Sequence, residues 1–500
     1  MWGYMRYSIF FLQPFFYSSK EASFWWTTIP EYIISAFIFA TLGVIGGYFA
    51  ERKIFLSKLN KKFHILFCIT IAGMGIIKKA IELADLIKKQ DNIVIIAHGD
   101  ADGVSGAAIA SIALKKIGLQ HEIKFVRYLN EDIIKEHSND FIFFVDVGNG
   151  NINEIVKNKI NCVIADHHFT EKKFKNSLNP FYYGIDGDSE ISASGLSYLI
   201  STNISPVNAS IAIIGAIGDL QDLRQKKLIG LNREILKKSD IVTIKDFHLY
   251  GRDMPLYKML SFSHSLPLFF KNVRGAISFL REYGFDESIS WVDLNFEQKR
   301  RLFSIIVKTM IEKGYGYEEI SNLYGEIYEM NGIDVRKIAS IINSVAKYGY
   351  YDIAMDICIN GDFNKAENLI KKHRKNIRNG IKFAKDRINE QGIINYFHGG
   401  NFIKDTILGT VTGMLLKNED ISNPVIGFAE NENGIKVSAR APYKLIEKGL
   451  NLSKAMDKIA SKLGGYGGGH KAAAGAIIPK GYEDSFLQMF EQEVSNQLTL

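Results

Sequence analysis

From residue 74 onward the apolar positions fall into short unbroken runs separated by stretches of helical spacing. Ile93 to Ile96, Phe141 to Val145 and Cys162 to Ala165 are runs of four or five apolar residues bounded by turn formers. Such runs predict strands buried on both faces of a parallel sheet. Ile123 to Arg127 predicts a further strand. Between them, Val104 to Ile117 has helical spacing and small residues that permit close packing on a sheet. Strands alternating with helices imply right-handed βαβ crossovers. Three of the strands run directly into ligand-type residues: His98, Asp100 and Asp102 after the first, Asp146 after FIFFV, and Asp166, His167 and His168 after CVIA. Open α/β sheets place their sites at these carboxyl ends.

Further along, Ser192 to Ser201 and Asn208 to Ile217 predict helices, the second leading into Gly218-Asp219-Leu220-Gln221-Asp222. The stretch from 223 to about 390 is irregular around Tyr250 to Phe270 and then becomes helical and charged. Asp362 to Asn389 carries Lys365, Lys371, Lys372, Arg374, Lys375, Arg378, Lys382, Lys385 and Arg387. Such a run is ordinarily a solvated helix face; beside a nucleic-acid enzyme it is a candidate phosphate track. After it, Val425 to Arg440 predicts two strands around a turn at Asn431 to Gly434, Leu452 to Leu463 predicts a helix, and Gly464 to Gly475 (GGYGGGHKAAAG) is glycine-rich.

Five hundred residues exceed one hydrophobic core and predict about three domains. The expected division is 1–73 as an apolar extension, 74–222 as an α/β catalytic domain, 223–390 as a largely helical insert and 391–500 as a smaller mixed α/β domain. A net charge of +7 is a mild lean toward polyanions over this length, so the location of the charge matters more. Cys68, Cys162 and Cys358 form no CxxC pair, which argues against a disulfide framework or structural zinc and fits a reducing, cytoplasmic setting. Tyr32 to Ala50 is long and apolar enough for a tilted membrane span, and the basic residues from Arg52 to Lys62 after it would leave the catalytic part cytoplasmic. The competing reading takes residues 1–73 as an upstream extension from a misplaced start, because Met74 opens an amphipathic helix.

His98, Asp100, Asp102, Asp146, Asp166, His167, His168 and Asp219 are the chemistry-bearing group. Alone, each aspartate reads as a cap or turn former; together they recur at successive strand ends. Converging carboxylates repel one another and call for a counter-charge. Carboxylate with imidazole and no thiolate suits Mn²⁺, with Mg²⁺ as a substitute. There are ligands for two divalent ions, an arrangement that activates water and neutralises a phosphoryl oxygen.

HGDADG at His98 to Gly103, the aspartate of FFVD, DHH at Asp166 to His168 and GDLQD at Gly218 to Asp222 resemble the four motifs of the DHH phosphoesterase superfamily, and GGYGGGHKAAAG resembles the signature of its DHHA1 domain. The resemblance implies a parallel-sheet DHH domain, a helical insert and a DHHA1 domain, with the active site in the cleft between DHH and DHHA1. It implies one metal site of His98, Asp100 and Asp146 and another of Asp102, Asp146, His167 and Asp219, with Asp146 bridging. Asp166 would orient His167, and His168 would act on the scissile phosphate. Substrate would be held by Ser438 and Arg440 in KVSAR and by Gly467, Gly468, Gly469 and His470. The long insert and the short distance from the glycine-rich stretch to Leu500, too short for an OB-fold, look like the archaeal RecJ-like nucleases associated with GINS. Three functions follow as expectations: a metal-dependent exonuclease on single-stranded DNA or RNA in repair or replication, a phosphodiesterase for very short oligonucleotides or cyclic dinucleotides, and a replisome scaffold binding GINS.

Overall fold

The structure is a computed structural model and describes residues 74–262, 266, 273–418 and 421–498. The apolar segment 32–50 and the choice between anchor and extension lie outside these residues. Among the described residues no helix is long and apolar enough to cross a membrane.

The first body is built on five parallel strands in the order β2-β1-β3-β4-β5: β1 Asn92–His98, β2 Gln120–Val126, β3 Phe141–Val145, β4 Asn161–Ala165 and the short β5 Ser177–Leu178. The interiors of β1, β3 and β4 are buried on both faces, as their unbroken apolar runs require. On one side Val94, Ile96, Ile142, Phe144 and Ile164 form a core with Ile134 and Ile155. On the other lie the helices Ala101–Lys116, Ala193–Ser201 and Ala209–Gly218. These three are buried almost all round, which their glycines make possible. A Cβ on Gly106 would lie 2.5 Å from Val145 Cγ1, and one on Gly215 would lie 2.1 Å from Ser194 Oγ. Ser192 and Asn208 cap the second and third helices through their side-chain oxygens.

Because β1 sits between β2 and β3, the chain leaves β1 toward one side and returns to its other side. The loops after β1 and β3 therefore diverge and open a crevice at the carboxyl ends, the topological switch point. His98 and Asp146 stand on its two banks.

The insert is mainly helical, but its ends pair into an antiparallel sheet that sequence patterning did not predict: β6 Val242–Phe247, β7 Tyr324–Met330 and β8 Ile333–Asp334. Its core gathers Phe247, Leu256, Trp291, Leu302 and Ile306. The chain then returns along the first body as helices Val335–Ala346 and Tyr351–Asn360, with Cys358 against Ser105. The basic helix Glu367–Lys385 follows.

The second α/β body is a six-stranded mixed sheet ordered β13-β14-β12-β11-β10-β9. Its strands are β9 Asn389–Gln391, β10 Ile394–His398, β11 Val425–Asn431, β12 Gly434–Arg440, β13 Tyr466–Gly469 and β14 Ala473–Ile478. Helices Leu452–Lys462 and Glu483–Leu498 cover one face and Asp405–Asn418 the other. The glycine-rich stretch is thus a hairpin. Gly467 has to be glycine, since a Cβ there would lie 2.7 Å from the Met456 carbonyl oxygen.

Candidate metal centre and phosphate pocket

Asp100 caps the helix Ala101–Lys116: its Oδ1 accepts the amides of Asp102 and Gly103 at 3.1 and 3.0 Å. That leaves Oδ2 for His98, whose Nδ1 lies 3.0 Å from it and 3.2 Å from Asp146 Oδ2. Asp146 follows β3 with φ of 61°, an unusual conformation for a non-glycine residue, and is 3 % exposed. That backbone turns its carboxylate into the crevice. Its other oxygen is 3.4 Å from His167 Nε2, which is 3.2 Å from Asp219 Oδ2. Asp102, fully buried, accepts the amides of Ala193 and Ser194 at 2.7 and 3.0 Å at a helix N-terminus. Three sets of donor atoms result, each within 4.8 Å: His98, Asp100 and Asp146; Asp102, His167 and Asp219; Asp146, His167 and His168.

The electrostatics of this centre are unresolved by the protein alone. Burial, then repulsion from Asp219 and Asp146, raises the Asp102 carboxyl well above the usual range. Burial would lower His98 and His167, but the carboxylates around each override it and raise both imidazoles. Asp146 Oδ1 and His167 Nε2 are buried without a hydrogen-bond partner among the described residues. Orphaned donor atoms at the focus of several carboxylates fit a bound divalent cation, which would supply the missing charge. All-oxygen and imidazole donors suit Mn²⁺ or Mg²⁺.

The expected partnership of Asp166 with His167 is corrected. Asp166 Oδ1 lies 2.7 Å from His168 Nδ1, and Oδ2 accepts the Asn149 amide at 2.9 Å. His168 is raised by this carboxylate against the opposing effect of burial. His167 is instead oriented by the Gly187 carbonyl, 2.6 Å from its Nδ1, which leaves Nε2 to face the carboxylates. Gln221 Nε2 donates to the same carbonyl at 2.8 Å.

Across the crevice the second body presents the residues expected on the substrate side. The His470 ring is 5.4 Å from that of His168, and its Nδ1 is 3.3 Å from Asp188 Oδ1. Arg127 pairs with Asp405 at 3.1 Å, closing one side of the cleft. Lys436, Ser438 and Arg440 alternate along β12 and share the face covered by Asp405–Asn418, while Ile435, Val437 and Ala439 enter the opposite core. Arg440 donates to Ser438 Oγ at 3.2 Å and lies over Gly409, where a Cβ would come within 2.7 Å of Nη2.

Two lysines not recognised as site residues in the sequence join this pocket. Lys347, following the helix Val335–Ala346, donates to Thr410 Oγ1 at 2.7 Å. Burial, then the nearby Arg440, pushes it down to about 8. Lys436 is pushed down to about 7 by burial, then by Arg440 and Arg127, with its ammonium 4.3 Å above the Tyr128 ring. Burial lowers Arg440 itself to about 10. None of the three has an ion pair among the described residues, so three half-buried cations converge here, with the Asp100 carboxylate acting on Lys347 from the metal centre. Gly467 to Gly469 form the edge strand beside it, paired with Ala474 to Ala476.

A carboxylate and imidazole centre at a sheet switch point, facing a cationic pocket on a second mixed sheet, defines a two-domain phosphoesterase-type protein. The family models agree: the DHH family N-terminal domain matches residues 92–220, the DHH-CID domain 249–324 and the DHHA1 domain 389–496. The chain belongs to the DHH/DHHA1 superfamily. It is 30 % identical over 429 residues to the uncharacterized protein MJ0831 of Methanocaldococcus jannaschii, covering 81 % of this chain and 94 % of that one. Among solved structures it resembles RecJ in complex with Mn²⁺ from Thermus thermophilus, with 17 % identity, a TM-score of 0.52 and 84 % of this chain covered. It spans 55 % of that RecJ, little more than half its length. It also resembles CDC45 from Entamoeba histolytica, with 11 % identity, a TM-score of 0.58 and coverage of 85 % and 98 %. At these identities the structural likenesses bear on the fold.

Proposed function

We propose that the chain is a metal-dependent phosphodiester hydrolase that removes mononucleotides from single-stranded DNA or RNA. The observation that carries this reading is the pairing of two donor sets with a half-buried convergence of three cationic side chains, Lys347, Lys436 and Arg440. His98, Asp100 and Asp146 would hold one divalent ion, and Asp102, Asp146, His167 and Asp219 the other, Mn²⁺ preferred. Bound there, the metals supply a hydroxide at neutral pH and neutralise charge on the phosphoryl group. The chain's own residues do the rest. The pocket seats a phosphate of the substrate's end, Arg440 offering a bidentate fork. His168, whose imidazole Asp166 raises against the effect of burial, stands where it can hold a proton for the leaving oxygen. Asp188 fixes His470 opposite.

The test is digestion of end-labelled single-stranded DNA and RNA of graded length with Mn²⁺ or Mg²⁺, resolving products from each end. Metal-dependent release of mononucleotides, lost in Asp146→Asn, is expected. No turnover on any strand, or full activity in that variant, would overturn the reading. Turnover confined to dimers through pentamers would replace it with the short-oligonucleotide phosphodiesterase. The likeness in fold to CDC45 supports a second, compatible role in docking replication proteins such as GINS, which co-purification of the full chain with GINS would check.

A further inference from the structure

The basic helix Glu367–Lys385 is not absorbed by the catalytic centre. His373, Gly380 and Ala384 are its buried residues, and Gly380 packs on Val411, where a Cβ would lie 2.9 Å away. At 100° per residue, Lys371, Lys375, Arg378, Lys382 and Lys385 fall within one narrow arc on the opposite side, and all are exposed. The row is about 21 Å long at 1.5 Å per residue.

Three observations set this row apart from an ordinary solvated face. Solvated helices usually interleave acids with bases at i,i+4, but no acidic residue stands between Glu367 and Asp386. Lys371, at the start of the row, pairs with Glu367 at 2.7 Å; Lys375, Arg378 and Lys382 have no ion pair among the described residues. Successive like charges at i,i+3 and i,i+4 oppose the helix, a cost that a polyanion on this face would remove.

Second, the row ends at an aromatic stack. The Arg387 guanidinium lies 4.0 Å from the Phe383 ring centroid, and Phe383 stacks on Phe402 at 4.4 Å with 16° between planes. Phe402 is 58 % exposed, a large apolar ring with a face left for a further planar group. Cations along a strand's backbone with aromatic faces for its bases are the recurring elements of sequence-tolerant single-strand binding.

Third, the helix that carries the row packs by its opposite side against the neighbours of the cationic pocket. Asn376 Nδ2 donates to Tyr348 Oη at 3.0 Å, and Lys404 lies 5.7 Å from the same ring. Tyr348 is the neighbour of Lys347, and Lys404 precedes Asp405, which holds Arg127 at the cleft.

We propose that the exposed face of Glu367–Lys385, ending in the Phe402–Phe383–Arg387 stack, binds the part of a single-stranded nucleic acid lying outside the catalytic cleft. This rests on the nucleic-acid reading of the site, and it makes length selectivity a property of this helix.

The experiment is fluorescence anisotropy of labelled thirty-nucleotide and dinucleotide probes with the full chain. A chelator removes metals, so hydrolysis does not enter. The variant is Lys375→Gln/Arg378→Gln/Lys382→Gln. With a salt slope of about −0.7 per phosphate contact on single strands, loss of three contacts should flatten log K against log salt by about 2. Affinity for the long probe should fall ~100-fold near 0.1 M salt. Dinucleotide binding should be unchanged, and Lys375→Arg/Lys382→Arg should keep the wild-type slope. Phe402→Ala should weaken the long probe ~5- to 100-fold with little change of slope. An unchanged slope and affinity in a folded triple variant would overturn the proposal. Failure of the hydrolase reading would show separately, as absent metal-dependent turnover with this binding intact.

Discussion

If a phosphate sits among Lys347, Lys436 and Arg440, its binding must move protons. At pH 8 Lys436, pushed down to about 7, is about nine-tenths neutral, and Lys347, pushed down to about 8, is about half neutral. A nucleoside monophosphate is a dianion at that pH, its second pKa being about 6. A dianion between two amines favours their charged forms. Binding should therefore draw about 1.4 protons from the buffer, and affinity should fall more than tenfold per pH unit there. At pH 6 both lysines are already charged while the phosphate is about half protonated, so binding should release about half a proton. Calorimetric titration of the full chain with a nucleoside monophosphate, in two buffers of different ionisation enthalpy, reads both numbers. Lys436→Arg removes a titrating group without removing its charge and should cut the uptake at pH 8 by about 0.9. The same lowered pKa means that the folded chain binds fewer protons than the unfolded one between about pH 7 and 10.4, so Lys436 makes stability rise with pH across that window. Heats independent of buffer at pH 8, or equal uptake in Lys436→Arg, would refute the placement of a phosphate in this pocket.

Asp166→Asn should cost about 10- to 100-fold in turnover. It should also move the alkaline limb of the pH–rate profile to lower pH, since His168 loses the carboxylate that raises it. Arg336→Met leaves Asp222, fully buried and held low by that guanidinium against the effect of burial, with His248 at 3.2 Å and the Lys226 ammonium nearby but without its strongest partner. It should destabilise the chain by about 3–5 kcal/mol in urea titration at pH 7. The loss should shrink as pH falls through the lowered carboxylate range, because the pair's contribution exists only while Asp222 is ionised.

The first body was readable because its strands are buried on both faces and end in their ligands. His98, Asp100, Asp102, Asp146, His167 and Asp219 are adjacent to patterned elements, so chain order alone brings them to one sheet edge. What escaped had no local signature. Gly187 orients His167 through a backbone carbonyl, which any residue carries, although only a residue without Cβ fits 2.1 Å from the His167 carbonyl oxygen. Lys347 looks like any lysine ending a helix until β12 is folded beside it, and β6 finds β7 nearly eighty residues later. Lys436 was missed although a signal for it existed: it precedes Ser438 and Arg440 at period two on one face of a predicted strand. The strand β13 was hidden because glycines carry no side-chain pattern to read.

The placement of these residues depends on one element that carries neither metal donor nor family motif. The helix Val335–Ala346 begins with Arg336, whose guanidinium grips Asp222, three residues beyond Asp219. One turn from its end, Asn343 Oδ1 accepts the Ala101 amide at 2.8 Å, between Asp100 and Asp102. Lys347 then enters the cationic pocket. Its twelve residues span about 18 Å. A hydrogen-bonded helix does not stretch to absorb a local shift, so the donors on the first sheet and part of the phosphate pocket are held in register by one rigid strut rather than by the loops that carry them. The insert's β8 feeds directly into this strut. That position makes residues 242–334 mechanically part of the centre, although they donate no group to it.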